Sequence, residues 1–156
     1  MINHFEECIE LLNKRGVTLD DIVECVIYLQ KPYLKEINNE EIKETIISVI
    51  NKREVQHAII TGINIDIASD DKVFYTKDLS KILDKDFSLY GVDEVLAYGI
   101  CNLYGSIALT NFGYIDKTKP GIIGVLNKDK TRCNTFIDDI IGAIAAAAAS
   151  KIAHGK

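Results

Sequence analysis

The chain has 156 residues, 26% of them charged and 47% hydrophobic, with a formal net charge of −5. That length suffices for a substantial core, and one helical domain over residues 1–156 is expected. The acidic balance, with no basic stripe interleaved with aromatics, argues against nucleic-acid binding.

In chain order, MINHFEECIELLNKRG is charged and amphipathic, unlike a secretory leader. Phe5, Ile9, Leu11 and Leu12 share one face of a first helix that stops at Gly16. Thr18, with Asp21 three residues on, makes a capping-box start for a second helix, and Pro32 ends it. Asn38 caps a long helical pattern over residues 40–68, expected to break or bend near residues 51–53. A short segment around residues 79–83 follows. From Val92, VDEVLAYGICNLYGSIALTNF reads as one helix, and a loop carrying Pro120, Gly121 and Gly124 comes after it. Thr135 is then the predicted N-cap of an alanine-rich helix over residues 137–153.

VFY at residues 73–75 is too short to support a sheet, so the predicted class is all-α: a bundle of about six helices. The alanine-rich helix is small and apolar all round, which places it at the centre. Gly99, Gly105, Gly113 and Gly142 are expected to permit close helix packing. Cys8, Cys25, Cys101 and Cys133 form no CxxC pair and read as reduced core thiols of a cytoplasmic protein. Between Glu94 and Asp116 no residue is charged. That run has bilayer-spanning length, but its asparagines, hydroxyls and tyrosines are costly against lipid. A buried helix with a polar seam is the expectation, with any membrane contact peripheral. So much apolar helix surface on a short chain also predicts a homo-oligomer.

Carboxylates open the apolar helices. In TFIDDIIGAIAAAAAS, Asp138 falls at the third helical position, where an acid caps the helix and meets its positive end. Asp139 points roughly 100° away and has no such role. Burying it unpaired costs several kcal/mol, so it needs a cation, a metal or a proton. Asp93 and Glu94 repeat the arrangement in LYGVDEVLAYG, where Asp93 has the same capping explanation and Glu94 does not. Asp116 ends the uncharged run, and Lys119 precedes Pro120. Such a set of hard oxygen ligands suits Mg²⁺, with a lysine nearby to receive a phosphate. Arg53 and His57 share a helix face and are candidates to complete the phosphate site, against the simpler account of a solvated surface.

A DE-opened helix, then FGYIDKTKP at residues 112–120, then FIDDIIGAI, resembles the phosphatidylglycerophosphatase A family. The resemblance covers about the last seventy residues. It implies Mg²⁺-dependent removal of the terminal phosphate of phosphatidylglycerophosphate, and it is nearer to a shorter, soluble branch built around a central helix. It also implies an acidic cluster of Asp93, Glu94, Asp116, Asp138 and Asp139, with Lys119 in the phosphate site. The membrane-embedded members carry an N-terminal Gly-Thr-x-Gly-Ser segment; here only Thr61 and Gly62 stand in IITGINID. The leading expectation is therefore a phosphomonoester hydrolase acting on a phosphorylated lipid. The alternatives are a soluble phosphatase of a small metabolite, or a non-catalytic helical protein that binds a partner or assembles with itself.

Overall fold

The computed structural model describes residues 2–85 and 90–155, and among them every regular element is a helix. In order these are α1 (Phe5–Lys14), α2 (Leu19–Gln30), α3 (Asn39–Ile50), α4 (Arg53–Asp71), α5 (Asp78–Lys85), α6 (Val92–Cys101), α7 (Ser106–Thr118), α8 (Gly121–Lys128) and α9 (Ile137–His154). None of them is long and apolar enough to cross a membrane. The all-α class is as expected; among the described residues nine helices stand where about six were expected.

Three early boundaries follow their local chemistry. Gly16 ends α1 at φ +84°, a conformation that glycine adopts without penalty. Thr18 and Asp21 form a reciprocal capping box, the Asp21 N–H donating to Thr18 Oγ1 at 3.2 Å and the Thr18 N–H to Asp21 Oδ2 at 2.8 Å. Asn38 Oδ1 accepts the N–H groups of Glu40 and Glu41, and the long pattern after it breaks between Ile50 and Arg53.

The extra helices come from two corrections. The run from Val92 is two helices, because Gly105 turns the chain at φ +94° while apolar residues continue on both sides. Residues 121–128, expected to be loop, are helical. Pro120 stands just outside α8 as its N-cap residue, where a missing N–H costs nothing. Gly124 is required there, since a Cβ would meet the Lys119 carbonyl oxygen at 2.6 Å.

At the centre, α9 touches α2, α3, α4, α6, α7 and α8, and all its residues from 137 to 150 are buried. Ile137, Ile140, Ile141 and Ile144 supply most of its apolar area, each contributing about 1.5–3 kcal/mol on burial. The alanines between them let neighbouring backbones approach. Gly142 lies against Phe112 and Ile115, so it does serve close packing. Gly99 and Gly113 do not, because a Cβ on either would meet nothing within 4 Å. The closest approach is instead at Gly62 of α4, where a Cβ would overlap Ile140. The four cysteines are buried free thiols.

The start of α9 is the main departure from expectation. Thr135 does not cap it: its hydroxyl donates to the Leu83 carbonyl at 2.7 Å. Phe136 is the N-cap residue and has no capping side chain. The acceptor comes from α4. The Asp66 carboxylate takes the Phe136 N–H at 3.0 Å and the Ile137 N–H at 2.9 Å, as an acid at a positive helix end should. Buried Arg15 holds the preceding strand of chain, donating to Asp70 Oδ2 at 2.8 Å, to Asn134 Oδ1 at 3.2 Å and to the Cys133 carbonyl. Asp70 Oδ1 accepts the Cys133 N–H at 2.7 Å.

Two predictions follow from this packing. Ala146→Leu overpacks the bundle centre and should cost about 1–3 kcal/mol in denaturant melts. Asp66→Asn places an amide N–H₂ against backbone donors and should cost about 1–3 kcal/mol. Burial raises the Asp66 pKa from 3.8 to about 7, against the lowering effect of its backbone hydrogen bonds. A raised folded pKa means stability that is present below the unfolded value and lost as pH rises through the folded one. The deficit of Asp66→Asn, measured by urea unfolding, should therefore shrink from about pH 4 to about pH 7; a deficit that grows with pH contradicts this account.

Candidate active site

Three helices deliver four aspartates and one lysine to the N-terminal end of α9. Asp138 and Asp139 are its second and third residues and both are buried. Asp93 is buried in the first turn of α6. Asp116 lies in the last turn of α7, half-buried. Lys119 follows in a left-handed conformation at φ +48°, closing α7 with its N–H on the Ile115 carbonyl at 2.8 Å. Non-glycine residues rarely adopt that conformation. Here it turns the chain into α8 and leaves the ammonium beside the acids.

The side chains interlock. Lys119 Nζ lies 3.3 Å from Asp116 Oδ1 and 3.7 Å from Asp138 Oδ2. Asp138 Oδ1 also accepts the Asp139 N–H at 2.8 Å. Burial works against the Lys119 charge, but Asp138, Asp116 and Asp139 outweigh it and raise its pKa, so it stays an ammonium. The pKa of the Asp139 carboxyl is shifted strongly upward. Burial is the main cause, the Asp138 charge the next, and the neighbouring carboxyls of Asp93 and Asp116 follow. In the absence of a cation, these neighbours favour a proton on Asp139.

The donor chemistry fits Mg²⁺, since every acidic group is a carboxylate and none is a thiol or imidazole. Yet among the described residues no three His, Cys, Asp or Glu side chains stand in a ready-made ligand arrangement. The positive charge among the acids is the Lys119 ammonium, which contacts Asp116 and Asp138.

The remaining candidates are placed differently. Glu94 is exposed on α6, close enough for its charge, with those of Asp116 and Asp139, to help burial raise the Tyr98 pKa. Arg53 and His57 are exposed at the start of α4, with Arg53 Nη2 3.3 Å from Glu54. Because Asp66 of α4 meets the start of α9, Arg53 lies roughly 20 Å and His57 roughly 13 Å down the helix from that level. Lys52, next to Arg53, sits 4.4 Å from the Tyr104 ring, and the Tyr104 carbonyl accepts from Ser150 near the other end of α9. The structure therefore does not bring Arg53 and His57 to the aspartates.

Sequence reasoning missed Asp66, Asp70, Arg15 and Asn134, which hold the entry to α9. The signal for Asp66 was available: it continues the buried stripe of Ile59, Gly62 and Ile63 at helical spacing. An acid on an apolar stripe is the same sign that marked Asp139.

The likenesses to other proteins run over nearly the whole chain. The family model described as phosphatidylglycerophosphatase A matches residues 8–154. The uncharacterised Bacillus subtilis protein YutG is 51% identical over 144 residues, 92% of this chain and 86% of YutG. A solved Bacillus stearothermophilus protein of unknown function superposes with a TM-score of 0.94 at 50% identity, covering 99% of this chain and 96% of that one. The low temperature requirement C protein from Listeria monocytogenes gives a TM-score of 0.93 at 46% identity, covering 97% and 95% of the two chains. The resemblance first carried by DE, FGYIDKTKP and FIDD thus extends from α1 to the end of α9, and the chain belongs to the phosphatidylglycerophosphatase A family.

Proposed function

We propose that the chain is a Mg²⁺-dependent phosphomonoester hydrolase of the phosphatidylglycerophosphatase type, taking a phosphorylated lipid as substrate. The observation that carries this reading is the convergence of Asp93, Asp116, Asp138 and Asp139 around Lys119. Five charged groups from α6, α7, α9 and the α7–α8 turn meet at one end of the bundle. Capping of α9 does not account for the set, because Asp66 accepts the Phe136 and Ile137 N–H groups and only Asp138 takes a further one, from Asp139.

When bound, Mg²⁺ supplies a Lewis acid for the phosphoryl oxygens. Asp93, Asp116, Asp138 and Asp139 are the residues that would hold it, with Glu94 at the exposed edge. Lys119 orients the phosphoryl group and offsets the charge that builds on it in the transition state. Asp139 is the carboxyl suited to exchange a proton with the attacking water, since burial and the Asp138 charge raise its proton affinity. Asp138 keeps Lys119 in place and is itself fixed by the Asp139 N–H.

Asp139→Asn is the most direct test. The amide removes one buried acid beside Asp93, Asp116 and Asp138, so the bundle should keep its melting temperature or gain slightly without metal. Mg²⁺-dependent phosphate release should fall at least about a hundredfold, the lower end for removing a positioned acid–base group. Rates on phosphatidylglycerophosphate and on a panel of soluble monoesters, from the same preparations, separate lipid from metabolite substrates. Full activity in the variant, or parallel loss of activity and stability, would make Asp139 structural.

A further inference from the structure

A cavity of about 570 Å³ opens between the end of α2, the start of α7 and the end of α9. It lies at the far end of α9 from the aspartates: Ile152, on its wall, is about 20 Å along the helix from Asp139. Leu34, Ile107, Ile152 and Ala153 give it apolar walls, and its polar groups are hydroxyls and amides. Among the described residues no charged side chain lines it. Lys31, Lys151 and His154 are exposed and near in sequence, but Lys151 is turned to Ser48 Oγ and none of the three belongs to the wall. Such a size and mix are those of small-molecule sites, which commonly hold about 300–1,000 Å³.

Two kinds of polar group on this wall have no use inside the chain. Gln30 is only 4% exposed, and its Nε2 donates to the Ala149 carbonyl at 2.8 Å. That contact fixes the amide's orientation, since only the nitrogen can meet a carbonyl. Oε1 is left to the cavity that Gln30 lines, and among the described residues nothing donates to it. A buried acceptor is costly to leave unmet, so its donor has to come from outside the chain. The second group is the start of α7. Gly105 supplies no capping side chain, and Leu109 is the first residue whose N–H is taken up, on the Gly105 carbonyl at 3.3 Å. The N–H groups of Ser106 and Ile107, both on the cavity wall, are thus open to a ligand.

We propose that this cavity binds an uncharged small molecule with an apolar body and a hydroxyl or amide head, the head bridging Gln30 Oε1 and the first N–H groups of α7. The helix ends select this class. The start of α7 is positive, and the end of α9, at Ile152 and Ala153, is negative. An ammonium is opposed by the first. A carboxylate or phosphate is opposed by the second and by the Gln30 oxygen. A hydroxyl or amide both donates and accepts, so it meets both sets at once. Leu34, Ile107 and Ile152 then cover the apolar body. The site shares no residue with the aspartate cluster, so it is independent of the phosphatase reading.

Probes that share one alkyl body and differ only in the head test this: 1-hexanol, hexanamide, hexanoate and hexylammonium. Each is titrated to about 10 mM into the full isotope-labelled chain, a range suited to ligands of so few atoms. The amide resonances of Gln30, Ser106 and Ile107 report binding. Hexanol and hexanamide should shift them saturably, and the two ions should bind at least about tenfold more weakly, because a buried charge finds no partner there. Thr110→Trp fills the cavity from an exposed wall position and should abolish the shifts. Gln30→Leu removes the acceptor and should weaken hexanol about fivefold, the worth of one hydrogen bond. Should that variant lose helicity, Thr110→Trp and the head-group series decide. No saturable shift with either neutral probe overturns the proposal. Equal binding of the ions does so too, as does hexanol binding that Thr110→Trp leaves unchanged.

Discussion

The rest of this structure depends on one buried carboxylate, Asp66, gripping the first N–H groups of α9 from the side. A helix start normally finds its acceptor in its own sequence, and Thr135 or Asp138 would have served. Because α4 supplies it, Thr135 is released to bind the Leu83 carbonyl and Asp138 to face Lys119. The grip also orients the helix. With Gly62 admitting Ile140 one turn away, α4 and α9 are held at close range, and the Arg15–Asp70 pair secures the chain that enters between them. Asp138 and Asp139 are thereby carried to the ends of α6 and α7, with one Asp138 oxygen taking the Asp139 N–H and the other near Lys119.

What gathers there is an electrostatic balance. Four carboxylates so close together cannot all be ionised without positive charge between them. Lys119 provides one such charge, and the upward shift of Asp139 favours a proton there as a second. Both sources are replaceable: a lysine can swing toward a phosphate, and a proton can leave when a cation takes its place. This is the physical content of the phosphatase reading, and it explains why the acids lie folded onto one another instead of splayed around a cavity.

Much of this was legible in the sequence, for identifiable reasons. Alanine from 145 to 149 between isoleucines can only be a helix packed on all sides, and the structure buries every one of those residues. Caps at Thr18 and Asn38 were readable because the accepting side chain and the donor N–H are three residues apart or fewer. The burial of Asp139 followed from its apolar neighbours alone. What was not legible depended on distance along the chain. Asp66 meets Phe136 across seventy residues, and no local pattern announces such a pairing. The division of α6 from α7 was hidden because apolar residues run through Gly105, and α8 because its glycines and proline resemble a loop. Arg53 and His57 shared a helix face as expected, but the direction of α4 against α9 carries that face away from the acids.

The central claim of the proposal is that positive charge at the aspartates is exchangeable, with Mg²⁺ able to take a place among them. The melting temperature of the wild-type chain, measured with chelator and then with increasing Mg²⁺ at constant ionic strength, tests it most directly. A cation that binds only the folded state stabilises by mass action, about 2.7 kcal/mol at a hundred times its dissociation constant. The account predicts a saturable rise in melting temperature with Mg²⁺ that an equal charge concentration of Na⁺ does not reproduce. A melting temperature indifferent to Mg²⁺ would mean that the proton and Lys119 complete the cluster, and would contradict it.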